Sequence, residues 1–170
     1  MGMNLRGIPI HRLDFKTGKF IIMIRENGKL PDDILRRIPK LVDSLAGDKD
    51  VVAVYSFGSL AQNTLKPLSD LDFGILLSYR MVKKECFDKQ LKLVGLFTES
   101  LKTEEIDLVF MNHAPSNIAF QIVKTGKLLL CNDRRALIDF REQLVMSYLD
   151  FKFVRDAFDS AFLKGVGYHG

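Results

Sequence analysis

"FGSLAQNTLKPLSDLDFGILL", residues 57–77, is the stretch that decides the fold of this chain. It holds Gly58 and Ser59, then ten residues, then Asp70 and Asp72 with one residue between them, and an apolar run follows. Residues two apart in a strand face the same side, so the two acids project together. Like charges this close repel each other unless a cation lies between them. The spacing therefore predicts a cation-binding site at the head of a buried strand.

The rest of the chain alternates between strand and helix patterns. Runs rich in β-branched and aromatic residues predict strands, and apolar residues at three-four spacing predict helices. The strands are expected at 51–57, 70–78, 105–111 and 127–131, and the helices at 31–46, 58–63, 82–101, 115–126 and 133–163. This order predicts an α/β sheet domain. The last helix is longer than a small sheet needs, so we expect part of its apolar stripe to meet a partner.

Length, composition and charge narrow the class of protein. A chain of 170 residues with 47% apolar and 27% charged residues is typical of one compact globular domain. The net charge of +4 lies in residues 1–30, which carry six Lys and Arg against two acids, whereas the remainder carries 19 of each. No basic face is indicated, so we expect no direct nucleic-acid binding. We predict an N-terminal extension of unclear role at 1–30, in which "KFIIMIRENG" forms a strand or an ordered segment, and a folded domain at 31–170.

The cysteines and the apolar runs bear on where the chain acts. Cys86 and Cys131 are far apart and lack the spacing of a metal-binding pair. Two isolated cysteines in a chain of this size favour a reducing compartment, so a cytoplasmic location is expected. No apolar run approaches the ~18–20 residues that span a bilayer, and no membrane association is predicted.

The chemistry of the opening stretch fits a metal and a phosphate. Asp70 and Asp72 offer the hard oxygen ligands that suit Mg²⁺, which commonly binds one or two carboxylates together with substrate phosphates. Gly58 lets the backbone approach a ligand closely, and Ser59 adds a hydroxyl at the start of a helix, whose free N–H groups suit a phosphate. Asp107 lies in a neighbouring apolar strand, where it would act as a general base or a further metal ligand. Each part alone has another explanation: Gly-Ser is common in turns, Asp-x-Asp is common as a solvated cap, and Asp107 alone could be a strand-edge acid. Together, the three parts predict a metal–phosphate site.

These residues also carry a family resemblance. The Gly-Ser-x10-Asp-x-Asp pattern resembles the signature of the polymerase-beta-like nucleotidyltransferase superfamily. Residues 31–163 resemble the minimal nucleotidyltransferase (MNT) proteins, known as the MntA-type antitoxins of HEPN–MNT toxin–antitoxin pairs. This narrower resemblance rests on "IDLVFMNHAPSNIAFQIVKTGKLLLCND" at 106–133 and "YLDFKFVRDAFDSAF" at 148–162. It implies the nucleotidyltransferase fold: an α/β (α+β) class with a small mixed sheet flanked by helices and a long C-terminal helix.

The resemblance also implies roles for the site residues. Gly58 and Ser59 would hold the phosphates of a nucleotide, and Asp70, Asp72 and Asp107 would form the catalytic, Mg²⁺-binding carboxylate triad. The implied reaction is transfer of AMP from ATP to a tyrosine of a HEPN-family RNase toxin, which silences the toxin. ATP and the toxin are thus the implied partners.

Two other functions stay open at this point. The chain could neutralise its toxin mainly by binding it, in which case the acids matter less, and the long C-terminal helix motivates this alternative. It could instead modify a small molecule, as aminoglycoside nucleotidyltransferases do, although no second substrate-binding domain is evident in the sequence. The acceptor, the base preference and the oligomeric state, a homo-oligomer included, also stay open.

Overall fold

A computed structural model describes residues 21–24 and 28–165 of the chain. The strands are β1 Ile21–Ile24, β2 Val51–Phe57, β3 Leu71–Leu77, β4 Ile106–Phe110 and β5 Lys127–Cys131. The helices are α1 Ile34–Ser44, α2 Gly58–Ala61, α3 Lys83–Leu101, α4 Ser116–Thr125 and α5 Arg134–Gly165. The predicted order of elements is therefore confirmed from residue 31 onward, and β1 precedes it within the predicted N-terminal extension.

The strands form one mixed sheet in the order β1-β4-β3-β2-β5. The β3–β4 pair is parallel, and the other neighbouring strands are antiparallel. β3 lies at the centre, which agrees with its continuous apolar run, since a strand covered on both faces is apolar throughout. The predicted small mixed sheet flanked by helices is confirmed.

Helices cover both faces of the sheet. Side chains alternate between the faces, so in β2 Val54 packs with α1 and α3 whereas Tyr55 packs with α4 and α5. On the first face, Phe73 and Phe97 meet edge to face with their ring centroids 5.1 Å apart. The predicted acidic site residues project toward the second face, which α4 and α5 cover.

The long helix α5 has 32 residues, which corresponds to about 48 Å. Its first half packs on the sheet through Leu137, Phe140 and Leu144, all buried. Arg141 Nε also donates a hydrogen bond to the buried Tyr55 hydroxyl at 3.1 Å. Farther along, large apolar side chains of α5 are exposed, namely Val145, Met146, Leu149, Phe151 and Phe153. The sheet therefore leaves this apolar surface of the helix uncovered, and its contact with a partner stays a prediction.

No helix among the described residues combines the length and the apolar character that crossing a bilayer requires.

An ion-pair cluster ties α3 to the loop before β2. Lys89 Nζ donates to both carboxylate oxygens of Asp48, at 2.6 and 2.9 Å, and to Asp50 at 3.1 Å. Partial burial acts to raise the pKa of Asp48, but the hydrogen bond from Lys89 and backbone hydrogen bonds outweigh it and leave that pKa below its ordinary 3.8. Partial burial likewise acts to lower the pKa of Lys89, and the two carboxylates outweigh it and raise that pKa.

We expect Lys89→Met to lower the free energy of unfolding by about 1 kcal/mol at pH 7, the upper end of the range for partly exposed pairs. Because the folded pKa of Asp48 is depressed, its contribution is fully present above pH 3.8 and is lost as the pH falls through the folded value. In urea unfolding, the variant should therefore have a lower free energy of unfolding than the parent at pH 7. Well below pH 3.8, the two free energies should be equal.

Lys92→Met is the matched control for this prediction, because Lys92 is exposed on the same helix. It should leave the free energy of unfolding unchanged at both pH values. A loss in Lys89→Met that is equally large in acid would mean that packing of the lysine stem, and not the ion pair, causes it.

Candidate active site

The sheet register brings two of the predicted acids together. Asp72, the second residue of β3, is paired with Asp107 of β4 on one side and with Phe57 of β2 on the other. Residues paired across neighbouring strands project to the same face of a sheet. Val109, two residues beyond Asp107, packs with α4 and α5. The two carboxylates and Phe57 therefore project on the α4 and α5 face, at the edge of the sheet where β2 ends and β3 and β4 begin.

Asp70 lies beside this pair. It immediately precedes β3, and the next residue, Leu71, donates its backbone N–H to the carbonyl of Glu105 at 2.9 Å, which continues the parallel pairing to the very start of the strand. Asp70 and Asp72 are half-buried, and Asp107 is 9% exposed. The backbone thus places all three predicted acids at one edge of the sheet, two of them in direct register.

Gly58 lies directly against Asp72 at the end of β2. Its φ is +59°, in the left-handed region that favours glycine, and a Cβ added there would lie 2.2 Å from Asp72 Oδ2 and 3.1 Å from Asp72 Cγ. Only a residue without a side chain fits. The close approach of this glycine to a ligand stays a prediction, and the structure shows its close approach to the Asp72 carboxylate. The Gly-Ser part and the Asp-x-Asp part of residues 57–77 are therefore in contact in the fold.

Ser59 follows in α2, a helix of four residues that begins directly at the end of β2. Its side chain is half-buried, and its carbonyl accepts a hydrogen bond from the backbone N–H of Thr64 at 3.0 Å. Lys127, the first residue of β5, donates from Nζ to Asn63 Oδ1 at 3.0 Å just after this helix. Lys127 thus brings a positive charge close to the Gly-Ser turn. The sequence did not indicate this residue, because it comes from a strand that is distant along the chain.

The acids can be tested for their fit to a divalent cation. Within residues 21–24 and 28–165, no three His, Cys, Asp or Glu side chains already form a group that could hold a metal ion. The register of Asp72 with Asp107, and Asp70 two residues before Asp72, supply hard oxygen ligands at one sheet edge. In ligand type and backbone position this set fits a cation of the Mg²⁺ type.

A groove of about 310 Å³ opens on the same face of the sheet as the acids, although none of the acids lines it. Phe57, the strand partner of Asp72, lines one end of it. Within the groove wall, Tyr148 stacks on Phe120 with the ring centroids 3.9 Å apart and the rings 4° from parallel. The remaining lining comes from α4 and α5, namely Asn117, Ile118, Gln121, Ile122, Thr125 and Arg155.

Residues 39–135 match the family model described as polymerase beta, nucleotidyltransferase. The match covers more than half of the chain and includes Gly58, Ser59 and the three acids. The chain belongs to the polymerase beta nucleotidyltransferase family. The predicted identification as a nucleotidyltransferase is thereby confirmed at the level of the family, whereas the roles of the individual residues stay predictions.

Solved structures of toxin–antitoxin complexes share the fold. A chain of a toxin–antitoxin complex with AMP-PNP is 22% identical with a TM-score of 0.57, and the similarity covers 75% of this chain and 97% of that one. A chain of a complex described as tri-AMPylated Shewanella oneidensis HEPN toxin with MNT antitoxin is 19% identical with a TM-score of 0.53, covering 76% and 96%. A chain of an MntA–HepT toxin–antitoxin complex gives 19% and 0.53, covering 78% and 99%. No protein of curated function matches the chain significantly. At these identities the similarity shows the fold alone, and it confirms the predicted nucleotidyltransferase fold with its long C-terminal helix.

Proposed function

We propose that this nucleotidyltransferase is an Mg²⁺-dependent enzyme that transfers AMP from ATP to a tyrosine hydroxyl of a HEPN-type toxin, and that it acts in the cytoplasm as the antitoxin. The observation that carries the proposal is the pairing of Asp72 with Asp107 in register, with Gly58 directly against Asp72. The similarity in fold to complexes described with AMP-PNP and with a tri-AMPylated HEPN toxin supports this choice of nucleotide and partner.

The mechanism follows from where the residues lie. Asp70, Asp72 and Asp107 would hold the cation, which neutralises the charge of the triphosphate when bound. Gly58 and Ser59, at the end of β2, would line the space that holds the phosphates. The acceptor oxygen forms a bond to the α-phosphorus, the bond from that phosphorus to the bridging oxygen breaks, and pyrophosphate leaves with the electron pair. The proton of the acceptor hydroxyl passes to a carboxylate, for which Asp107 is the candidate. Positioning and charge neutralisation supply most of the rate.

The reaction can be tested with the chain and a HEPN-type protein encoded beside its gene. After purification of both and incubation with ATP and Mg²⁺, we expect the intact mass of the partner to rise by one or more AMP moieties, and peptide mapping should place them on tyrosine. A double variant, Asp70→Asn with Asp72→Asn, should leave the partner's mass unchanged. Equal modification by the double variant would overturn the proposed mechanism.

Neutralisation by binding alone is the second candidate, and the exposed apolar residues of α5 favour it. The same double variant separates the two functions when it is co-expressed with the toxin. Cells that stay protected by the double variant would show that binding dominates, whereas loss of protection supports the transfer of AMP. A small-molecule acceptor is less favoured, because the described part of the chain builds one sheet domain without a second substrate domain.

A further inference from the structure

The groove between α4 and α5 is contiguous with the proposed catalytic edge. Phe57 belongs to both, because it lines the groove, pairs with Asp72 and directly precedes Gly58. Ile122, another lining residue, lies over Gly74 on the same face of the sheet, since a Cβ added to that glycine would be 2.8 Å from Ile122 Cγ2. A molecule held at Asp72 can therefore extend into the groove without crossing the sheet.

One wall of the groove is a polar strip along α4. Asn117, Gln121 and Thr125 recur at every fourth position and so lie on one side of the helix. The hydroxyl of Thr125 donates to the backbone carbonyl of Gln121 at 2.9 Å, so it is engaged within the helix. The side chains of Asn117 and Gln121 are exposed and can reach a ligand. Each amide presents a donor and an acceptor side by side.

Apart from the guanidinium group of Arg155, the rest of the lining is apolar. Phe57 and Tyr148 contribute aromatic rings, and Ile118 contributes an aliphatic surface. One face of the Tyr148 ring is covered by Phe120, which fixes the orientation of the ring. Apolar walls with a few convergent polar groups are typical of small-molecule sites, and about 310 Å³ lies at the lower end of their size range.

We propose that this groove binds the nucleoside part of the nucleotide substrate, and that Asn117 and Gln121 determine base specificity. This inference rests on the proposed function. A heterocyclic base is flat, and its edge carries adjacent donors and acceptors, which is the pattern that Asn and Gln amides match in pairs of hydrogen bonds. The phenol ring of an acceptor tyrosine offers one hydroxyl, and that hydroxyl must lie at the α-phosphate, so it would leave both amides unused.

The test compares binding of a non-hydrolysable ATP analogue, the corresponding GTP analogue and inorganic triphosphate, all with Mg²⁺, by titration calorimetry. In the Asn117→Leu and Gln121→Leu variants we expect the Kd of the ATP analogue to rise about tenfold and the preference between the two bases to shrink, because a well-placed amide pair contributes discrimination of this order. The Kd of inorganic triphosphate, which has no base, should stay unchanged.

Gln143→Leu is the matched control, because Gln143 lies on α5 outside this groove and its substitution should change none of the three constants. Both substituted residues are exposed, so the variants should have the same melting temperature as the parent. If the parent binds nucleotide and both variants bind it with unchanged affinity and base preference, the groove proposal is wrong while the proposed function stands. A loss of affinity for the toxin, with nucleotide binding unchanged, would overturn it in favour of an acceptor site. A parent chain that binds neither nucleotide nor triphosphate would overturn the proposed function itself.

Discussion

The Asp72→Asn variant is expected to lose at least about 100-fold of the nucleotidyl-transfer rate while it keeps the stability of the parent. Asn has the shape of Asp but lacks the charge that would hold a divalent cation, and the cation is worth several kcal/mol in the transition state. Each 1.36 kcal/mol corresponds to a factor of ten in rate. Transfer of label from α-labelled ATP to the partner protein measures the loss.

Stability should be retained because Asn has nearly the same shape as Asp and Asp72 is only half-buried. In the presence of a chelator we expect the melting temperature of the variant to stay close to that of the parent. Added Mg²⁺ should raise the melting temperature of the parent, since a ligand stabilises the state it binds, and should have less effect on the variant.

Asp88→Asn is the matched control for this experiment, because Asp88 is exposed on α3 away from the site and the change in charge is the same. It should transfer label at the rate of the parent. Retention of full activity by Asp72→Asn would rule out this carboxylate as a metal ligand.

The Gly58→Ala variant is expected to lose activity to a similar extent and also to lose about 1–2 kcal/mol of stability. The stability cost follows from the φ of +59°, because an L side chain in the left-handed region is strained by about this amount. The activity cost follows from the 2.2 Å between the added Cβ and Asp72 Oδ2, which forces the carboxylate to move. A displacement of about 1 Å at a reacting centre can cost about 100-fold in rate.

Gly95→Ala provides the comparison, since it introduces the same methyl group without a clash. Gly95 lies within α3, and no atom comes within 4 Å of a Cβ added there. Replacing a glycine in a helix interior by alanine stabilises by about 0.5–1 kcal/mol, so this variant should be slightly more stable and fully active. Urea unfolding and label transfer measured on both variants make the test. A fully active Gly58→Ala would show that the carboxylate position is not critical.

The sequence predicted much of the fold because its strands are marked locally. The apolar runs at β2 and β3 are bounded by clear turn signals, and the structure places both within a residue of the expected bounds. The first helix begins at Ile34 instead of residue 31. β1 was expected only as a strand or ordered segment, because its pairing with β4 joins parts of the chain that no local pattern connects.

The candidate site was predictable in its residue types and not in its arrangement. The spacing of Asp70 and Asp72 indicates a shared side of the strand, and Asp107 stands out in the sequence as an acid inside an apolar strand. The register that places Asp107 directly beside Asp72 depends on how β3 and β4 pair, which the sequence does not state. The groove draws on β2, α4 and α5 together. Its one local signal was the recurrence of Asn117, Gln121 and Thr125 every four residues.

The parallel pairing of β3 with β4 also determines when Asp72 and Asp107 can come together during synthesis of the chain. Parallel neighbours cannot be joined by a tight hairpin, and here the chain leaves the sheet through α3 before it returns. Contacts between distant parts of a chain form late, because loop closure costs entropy before the contact is made. During synthesis Asp72 therefore emerges well before Asp107, and the paired carboxylates come into existence only when this crossover has closed. The proposed carboxylate site therefore cannot exist in a newly made molecule whose central sheet is incomplete.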